Sequence, residues 1–487
     1  MAADQQRYDL ILRNGLIVDG TGASAIKGDI AITNGKIVKC GELKDLQARY
    51  EKDVSGFMVC PGFIDVHAHD DRAILSSPDM LPKLSQGVTT VISGNCGISL
   101  APLILEQKPP PPLNVLGDES WYRFKRVADY VEAVNETHPS INIALLIGHS
   151  TLRMSAMKDL SKKATTQEID LMRQRLHEGL TVGAIGFSTG LFYATNKAAD
   201  MQEVVALAEL LADMGGVYTT HMRDEFDGVE ESLKESFETA RLAHVPLVIS
   251  HHKCGGPKNW GRSVDTLRLI HQAQQHQKVG LDVYPYIAGS TIIIPDLVDG
   301  VIQILITGSS PHPEMTGKYL SDIAKEWGCS EKEAAKRLLP GGACYFQMDE
   351  GDVRRILKFP STMIGSDGLP HDCHPHPRLW GAFPRVIGHY ARDLQLFTLE
   401  EAVRKMTSLP AEQFALKNRG ILREGAYADI VVFDPNTILD TATFENPTQT
   451  ARGIEMVIVN GKIAWQDGVE TGARSGCFIP QGVHRHE

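Results

Sequence analysis

Apolar and polar residues follow two different patterns along this chain. Near both ends, short apolar runs alternate with turn dipeptides, as in GDIAITNGKIVKCG and in IEMVIVNGKIAWQDG. Asn34-Gly35 and Asn460-Gly461 are dipeptides of the kind that joins two antiparallel strands. Because the two ends share this pattern, we expect them to form one β-sandwich domain, built from residues 1–61 and 415–487.

The middle of the chain, residues 62–414, alternates apolar runs with amphipathic stretches such as TQEIDLMRQRLHEGL. This alternation is typical of parallel strands joined by crossover helices. Eight strand–helix units match a closed (β/α)8 barrel, an α/β fold. An open doubly wound sheet is the alternative, but the chain has no GxGxxG fingerprint. The candidate strands are FIDVHAH, TTVISGNC, NIALLIGHS, AIGFSTG, VYTTHMR, LVISHHK, GLDVYPY and TMIGSDG.

A long segment separates the seventh and eighth candidate strands. Residues 288–350 contain their own helical stretch, EKEAAKRLL, and we predict that they form a lid-like insertion over the barrel mouth. A run of four prolines at 109–112 follows the second strand. Since proline fixes φ, we expect a stiff structural loop there.

Composition and charge exclude several classes of function. Hydrophobic residues make up 43% and charged residues 22%, as in ordinary globular proteins. The formal net charge of −11 argues against a general attraction to nucleic acid or to an anionic membrane, and no apolar stretch is long enough to span a bilayer. The first ten residues, MAADQQRYDL, do not read as a signal peptide. Eight cysteines without a CxxC pair indicate a reducing cytoplasm, so we expect a cytoplasmic protein, plausibly a monomer.

Side chains that suit metal chemistry recur at the ends of the predicted strands. Active sites of (β/α)8 barrels lie at the carboxyl ends of the strands. His67 and His69 alternate along the first strand, so both imidazoles project to one face. Imidazole, thiolate and carboxylate are ligands that suit zinc. The residues at matching strand ends are His67, His69, Cys96, His149, His221, His251 and Asp367.

Some of these residues also have a structural interpretation. A single histidine at a strand end is usually hydrogen-bonded in the core, and this is the preferred interpretation of His149. His252 should point away from its neighbour His251 and is predicted to be structural. Cys96 alone would more often be a small buried apolar residue. The convergence of the whole set on one barrel mouth is hard to explain by packing.

The motifs resemble those of the D-aminoacylase (N-acyl-D-amino-acid deacylase) family of the amidohydrolase superfamily. That family combines a (β/α)8 barrel with a β-sandwich made from both chain ends, which agrees with the pattern above. The matching segments run through nearly the whole predicted barrel and are PGFIDVHAHDD, QGVTTVISGNCGIS, IGHSTLR, GAIGFSTGLFY, THMRDE, VISHHK, DVYPYIAGST, MIGSDGLPHD and HPRLWG.

The resemblance also implies a metal arrangement. Many superfamily members bridge two metals with a carboxylated lysine on the fourth strand, whereas the fourth strand here, GFSTG, has no lysine. In the D-aminoacylase branch a cysteine on the second strand takes that place. By resemblance, Cys96, His221 and His251 hold one tightly bound Zn²⁺. His67 and His69 would form a second, weaker position that shares Cys96.

The activity implied is hydrolysis of N-acyl-D-amino acids. Zinc lowers the pKa of a bound water to about 7, so hydroxide can attack the amide. Asp367 is placed to act as general base and then as general acid. By resemblance, the substrate α-carboxylate contacts Lys253, Tyr284, Ser290 and Arg378, and the side-chain pocket contains Phe192, Tyr345 and Met348.

This pocket favours apolar D side chains such as those of methionine, leucine and phenylalanine. The loop after Ser290 presents no cation for an acidic side chain, but Asp296 and Asp299 in the same loop would invite polar or basic ones. The alternatives are therefore an N-acyl-D-glutamate deacylase or another D-specific deacylase. Two less similar alternatives are a cyclic-amide hydrolase, which normally uses the fourth-strand lysine, and a non-catalytic scaffold.

Overall fold

Strands from both ends of the chain form one sheet. The computed structural model describes residues 8–482, and within this range the sheet has nine strands. Met58–Pro61 pairs antiparallel with Ile430–Phe433, which joins the N-terminal strands to the C-terminal ones. The strands are Tyr8–Ile17, Ile26–Thr33, Lys36–Gly41, Ala48–Asp53, Met58–Pro61, Ile430–Phe433, Ile454–Val459, Lys462–Gln466 and Val469–Glu470.

The two predicted Asn-Gly turns connect neighbouring antiparallel strands of this sheet. Asn34 and Gly35 have φ values of 51° and 74°, and Asn460 and Gly461 have values of 47° and 80°. Positive φ at both central residues defines the turn that matches the twist of a hairpin, and asparagine and glycine adopt it most readily.

Eight parallel strands in sequential order form the barrel. The Asp367 N–H donates to the His67 carbonyl at 2.7 Å, and a parallel bridge joins Ala68 to Gly368, so the eighth strand meets the first. Six of the eight strands lie within the predicted segments, and the other two begin one residue earlier, at Val88 and Val279, which confirms the fold class. The strands are Phe63–Asp65, Val88–Ser93, Asn142–Gly148, Gly186–Gly190, Val217–His221, Leu247–Ile249, Val279–Val283 and Thr362–Ile364.

Amphipathic helices cover the barrel. The longest α-helix in the described range, Thr166–Val182, begins at a capping box between Thr165 and Glu168 and buries Met172, Leu176 and Leu180 along one face. Between residues 8 and 482, no helix has the length and apolar character needed to cross a membrane. The α-helices are Ala73–Ser76, Leu81–Leu84, Val127–Thr137, His149–Ala156, Thr166–Val182, Met201–Ala208, Leu210–Met214, Val229–Ala243, Ser263–Ala273, Leu320–Trp327, Glu331–Arg337, Glu350–Lys358, Arg378–Arg385, Leu399–Met406 and Ser408–Gln413, and Val386–Asp393 is a π-helix.

The insertion between the seventh and eighth barrel strands has its own sheet and core. Its sheet is antiparallel and three-stranded, a feature that the sequence analysis did not predict. Ile304, Ile306, Ile323 and Leu338 belong to an apolar cluster formed within the insertion. The insertion therefore has a sheet and an apolar core of its own. Its strands are Gly289–Ile292, Ile304–Ser309 and Gly341–Tyr345, and a separate short pair after the second barrel strand consists of Leu103–Ile104 and Arg123–Phe124.

Candidate metal and active site

Two overlapping groups of possible metal ligands meet at the carboxyl ends of the barrel strands. Cys96, His221 and His251 form one group, and Cys96 also joins His67, His69 and Asp367 in the other; within each group the ligand atoms lie within 4.8 Å of one another. Cys96 Sγ lies 3.2 Å from His67 Nε2 and 3.4 Å from His251 Nε2. The cysteine thus occupies the shared position between the two groups.

Three of these residues have an uncommon backbone conformation. Cys96, His251 and Asp367 have φ values of 53°, 35° and 49°, in the left-handed region that residues other than glycine rarely adopt. Each residue lies just beyond its barrel strand, where the chain turns away. Such strain is concentrated at functional sites, because the surrounding structure must hold it. Glycine at position 190 allows this backbone to pack closely, because a Cβ there would lie 2.2 Å from the Cys96 carbonyl oxygen.

The protonation states of Cys96 and His221 suit a metal cation, whereas, despite burial, Glu225 and the Cys96 thiolate raise the pKa of His251 to about 9, so His251 must lose a proton when a metal binds. Burial by itself raises the pKa of the Cys96 thiol, but the nearby His67 and His251 hold it well below its ordinary value. Burial lowers the pKa of His221 and favours the neutral imidazole. A thiolate and a neutral imidazole are the forms that coordinate zinc. The donor set of one thiol and two imidazoles, with ligand atoms within 4.8 Å of one another, therefore fits a zinc ion.

Asp367 is an ionised carboxylate beside the ligands. Its Oδ1 lies 3.2 Å from His69 Nε2, and its Oδ2 lies 2.9 Å from Arg378 Nη1. Burial would raise the pKa of Asp367, but Arg378 and His67 hold it well below its ordinary value. A carboxylate in this position can accept a proton from a group that lies among the metal ligands.

Two buried acids that the sequence analysis missed hold the ligands in place. Asp282 on the seventh strand accepts the backbone N–H of His251 at 2.9 Å and lies 3.2 Å from His67 Nδ1. Glu225 lies 3.0 Å from His251 Nδ1 and 2.8 Å from Lys253 Nζ. Carboxylates that contact the second ring nitrogen orient a metal-binding histidine. A carboxylate inside the apolar run GLDVYPY was a signal that could have identified Asp282.

The four residues assigned by resemblance to carboxylate binding lie together. The guanidinium of Arg378 stacks on the Tyr284 ring at 4.4 Å, and its Nη2 donates to the Ser290 carbonyl at 3.0 Å. Lys253 Nζ lies 5.8 Å from the centre of the same ring. Ser290 Oγ and Arg378 Nε are buried without a hydrogen-bond partner among the described residues. These unpaired donors leave hydrogen-bonding capacity for an anion.

One cavity connects these groups. Its wall includes His69, His221, His251, Asp367, Lys253, Tyr284, Ser290, Phe192 and Tyr345. His67 and Cys96 are buried and reach this group through their contacts with Asp367 and His251. The cavity thus unites metal ligands, carboxylate, cation and aromatic side chains.

Three histidine or pocket candidates lie elsewhere. Met348 lines a second, smaller cavity, which shares His251, Lys253 and Tyr284 with the main one. His149 pairs with Glu203 at 2.8 Å, and His252 Nε2 lies 2.9 Å from Thr266 Oγ1, so both histidines have partners in the core.

The fold and the site together define a metal-dependent (β/α)8-barrel enzyme with an ionised carboxylate beside its metal ligands. The amidohydrolase family model matches residues 51–280 and 331–464. The chain is 50% identical over 477 residues to the D-aminoacylase of Alcaligenes xylosoxydans xylosoxydans, with 98% of each chain covered.

Solved structures agree with this relationship. A D-aminoacylase crystal structure superposes with a TM-score of 0.95 at 50% identity, covering 97% of this chain and 100% of that one. The N-acyl-D-glutamate deacylase of Bordetella bronchiseptica, solved with zinc and a phosphonate mimic of the tetrahedral intermediate, gives a TM-score of 0.94 at 45% identity, covering 98% of this chain and 100% of that one. The chain belongs to the D-aminoacylase (N-acyl-D-amino-acid deacylase) family of the amidohydrolase superfamily. It is therefore a metal-dependent amidohydrolase that acts on linear amides.

Proposed function

We propose that this enzyme hydrolyses N-acyl-D-amino acids, preferably those with apolar side chains, to a carboxylate and a D-amino acid. The observation that carries the proposal is one cavity whose wall contains Asp367, Lys253 and the candidate metal ligands His69, His221 and His251. Hydrolysis of an amide with an α-carboxylate needs a base, a Lewis acid and an anion site at fixed separations. The relatives named above act on substrates of this class, which supports the assignment.

The metal in this proposal is zinc. Cys96, His221 and His251 would hold the tightly bound ion, because a thiolate with two imidazoles is a donor set that suits zinc. His67 and His69, with Cys96 shared, would form a second and weaker position. When bound, zinc supplies a Lewis acid that polarises the amide carbonyl and makes water more acidic.

Asp367 performs the proton transfers. Its carboxylate is ionised before the reaction, so it can accept a proton from the attacking water. The carboxyl group then gives this proton to the amine that leaves. His69 and Arg378, at 3.2 and 2.9 Å, keep the two oxygens of Asp367 in fixed directions. No covalent acyl-enzyme is required.

The α-carboxylate of the substrate binds at Lys253, Arg378, Ser290 and Tyr284. Lys253 is held by two contacts of 2.8 Å to Glu225, so its ammonium group is already positioned before the substrate arrives. When the α-carboxylate and the scissile carbonyl of the substrate are both held in place, the side chain at Cα can point in only one of two directions, which depends on the configuration. A pocket in the direction of the D side chain selects the D configuration.

The side-chain pocket consists of Phe192 and Tyr345, and Met348 supports it from the neighbouring cavity. Among the described residues of the main cavity wall, Lys253 is the one lysine or arginine, and the proposed α-carboxylate site already uses it. An acidic side chain would therefore find no second cation in the cavity wall. Asp299 accepts the Val301 N–H at 2.8 Å and does not belong to the cavity wall. These features favour methionine, leucine or phenylalanine side chains over glutamate.

The experiment that tests the proposal is an assay of the purified enzyme with added zinc. We expect N-acetyl-D-methionine to be hydrolysed faster than N-acetyl-D-glutamate, and N-acetyl-L-methionine to remain intact. Faster hydrolysis of N-acetyl-D-glutamate would assign the enzyme to the acidic D substrates. Hydrolysis of a dihydropyrimidine ring without hydrolysis of any linear N-acyl-D-amino acid would contradict the proposal.

A further inference from the structure

The proline-rich loop after the second barrel strand contributes to the catalytic cavity. It leads into a short 3₁₀-helix, Leu113–Leu116. Pro112 and Val115 line the cavity, whereas Leu113 and Leu116 are fully buried in the main apolar core. Residues three apart lie on the same face of a 3₁₀-helix, so one face is directed to the cavity and the next to the core.

The position of this loop is fixed from the core side. The Tyr122 hydroxyl donates to the Leu113 carbonyl at 2.5 Å, and Tyr122 is itself fully buried. The prolines that precede the helix restrict φ and further limit its movement. Pro112 and Val115 therefore present a preformed apolar surface to any ligand in the cavity.

Two residues that follow catalytic positions complete this surface. Ile98 comes two residues after Cys96, and Leu369 comes two residues after Asp367; both line the same cavity. Ile98 is 2% exposed and Leu369 8% exposed. We call Ile98, Pro112, Val115 and Leu369 the aliphatic wall. It contains no charged group and no hydrogen-bond donor in its side chains.

We propose that the aliphatic wall is the subsite for the hydrocarbon part of the acyl group, a proposal that rests on the proposed function. An N-acyl-D-amino acid carries three groups around its amide. The α-carboxylate is assigned to Lys253 and its neighbours, and the side chain to Phe192 and Tyr345. The aliphatic wall is the remaining surface for the acyl substituent. Two of its residues follow Cys96 and Asp367 in sequence, next to which the acyl carbonyl would react.

The chemistry of the wall specifies the class of acyl group. Aliphatic side chains gain free energy by covering the methylene groups of a chain but cannot pair a charge or a hydroxyl group. Substrates with short unbranched aliphatic acyl groups, such as butanoyl and hexanoyl, should therefore be accepted along with acetyl. Succinyl derivatives, which end in a carboxylate, should be rejected.

The test compares acyl groups on one amino acid. For the zinc-loaded enzyme, the ratio of kcat/KM for N-hexanoyl-D-methionine to that for N-acetyl-D-methionine is measured in the wild type and in Val115→Phe. We expect this ratio to fall at least about 10-fold, because the larger ring fills the space of the acyl chain. The ratio for N-acetyl-D-methionine to N-acetyl-D-alanine should stay at the wild-type value. The matched control is Val264→Phe on an exposed helix position, where the side chain is 52% exposed; both ratios should be those of the wild type.

A second variant, Val115→Ala, keeps the inference testable if Val115→Phe does not fold. Val115→Ala should raise the hexanoyl-to-acetyl ratio, because the wall recedes. If the Val115 variants change the methionine-to-alanine ratio and leave the acyl ratio unchanged, the wall binds the amino-acid side chain and the inference is overturned. Equal changes for all substrates would also overturn it. A wild-type enzyme that cleaves no N-acyl-D-amino acid would instead refute the proposed function.

Discussion

Arg378 and Asp367 form a buried ion pair, with Arg378 Nη1 at 2.9 Å from Asp367 Oδ2. The same guanidinium stacks on Tyr284 and donates to the Ser290 carbonyl, so it belongs both to the proposed base and to the proposed carboxylate site. One cation thus contacts both the proposed general base and a residue of the proposed carboxylate site. Because Arg378 is fully buried, this arrangement fixes the distance between the two functions.

Asp367→Asn tests the proposed general base. The amide keeps the size of the carboxylate but cannot accept a proton from water. We expect zinc content to be retained and kcat to fall at least about 10²-fold, the lower end of the range for general acid–base catalysis. Metal analysis and steady-state kinetics measure the two effects. Turnover close to that of the wild type would show that a different group accepts the proton.

Cys96→Ala tests the shared metal position. The substitution removes the thiolate that both ligand groups contain, so the tight zinc should be lost together with activity. Metal content after dialysis is the direct measurement. Cys60→Ala, a buried cysteine outside both ligand groups, is the matched control and should bind zinc as the wild type does. Unchanged zinc content in Cys96→Ala would remove the basis for the metal assignment.

Glu225→Gln tests the support of His251 and Lys253. The variant keeps a hydrogen-bond acceptor but removes the charge that lies 3.0 Å from His251 Nδ1 and 2.8 Å from Lys253 Nζ. Zinc affinity should fall about 10- to 100-fold, as for other groups that orient a metal ligand. Competition with a chelator measures this change. Glu231→Gln, at an exposed glutamate, is the control; equal affinities in the two variants would argue against the orienting role.

Phe192→Ala tests the side-chain pocket. Phe192 lines the main cavity, so removing its ring should lower kcat/KM for N-acetyl-D-phenylalanine more than for N-acetyl-D-alanine, by about 1–3 kcal/mol of discrimination. Met348→Ala should discriminate less between the two substrates, because Met348 lines the neighbouring cavity. If Met348→Ala discriminates more than Phe192→Ala, the pocket must lie on the Met348 side of Tyr284.

Glu203→Gln tests a structural ion cluster behind the third strand. Burial would raise the pKa of Glu203, but His149 and Arg153 lower it from 4.5 to about 2. The folded pKa is below the unfolded one, so this stabilisation is complete above about pH 4.5 and is lost as the pH falls toward 2. At pH 7 the variant should lose about 3 kcal/mol of unfolding free energy.

Urea unfolding between pH 7 and pH 2 measures the effect. The unfolding free energy of Glu203→Gln should decline less steeply than that of the wild type between pH 4.5 and pH 2. Parallel curves for the two proteins would show that Glu203 does not contribute through its charge.

The sequence by itself determined the barrel, the joining of the two chain ends in one β domain and the type of chemistry. Apolar runs bounded by turns predicted all eight barrel strands, because burial on both faces requires a continuous apolar segment. His67, His69, Cys96 and Asp367 could be selected because parallel strands bring their carboxyl ends to one edge, whatever the loops do. Local pattern and the rule for strand ends were sufficient for these features.

The tertiary structure alone decided which side chains support and enclose the site. Asp282 contacts His67 across 215 positions of sequence, and this contact exists only because the barrel closes. The positive φ of Cys96 and Asp367 likewise depends on neighbouring strands that hold the turns. Met348 lies beside the main cavity rather than in its wall. Val115 lines that wall because one face of its short helix is directed to the cavity and the next face to the core. Such assignments depend on packing between distant segments, which local patterns do not encode.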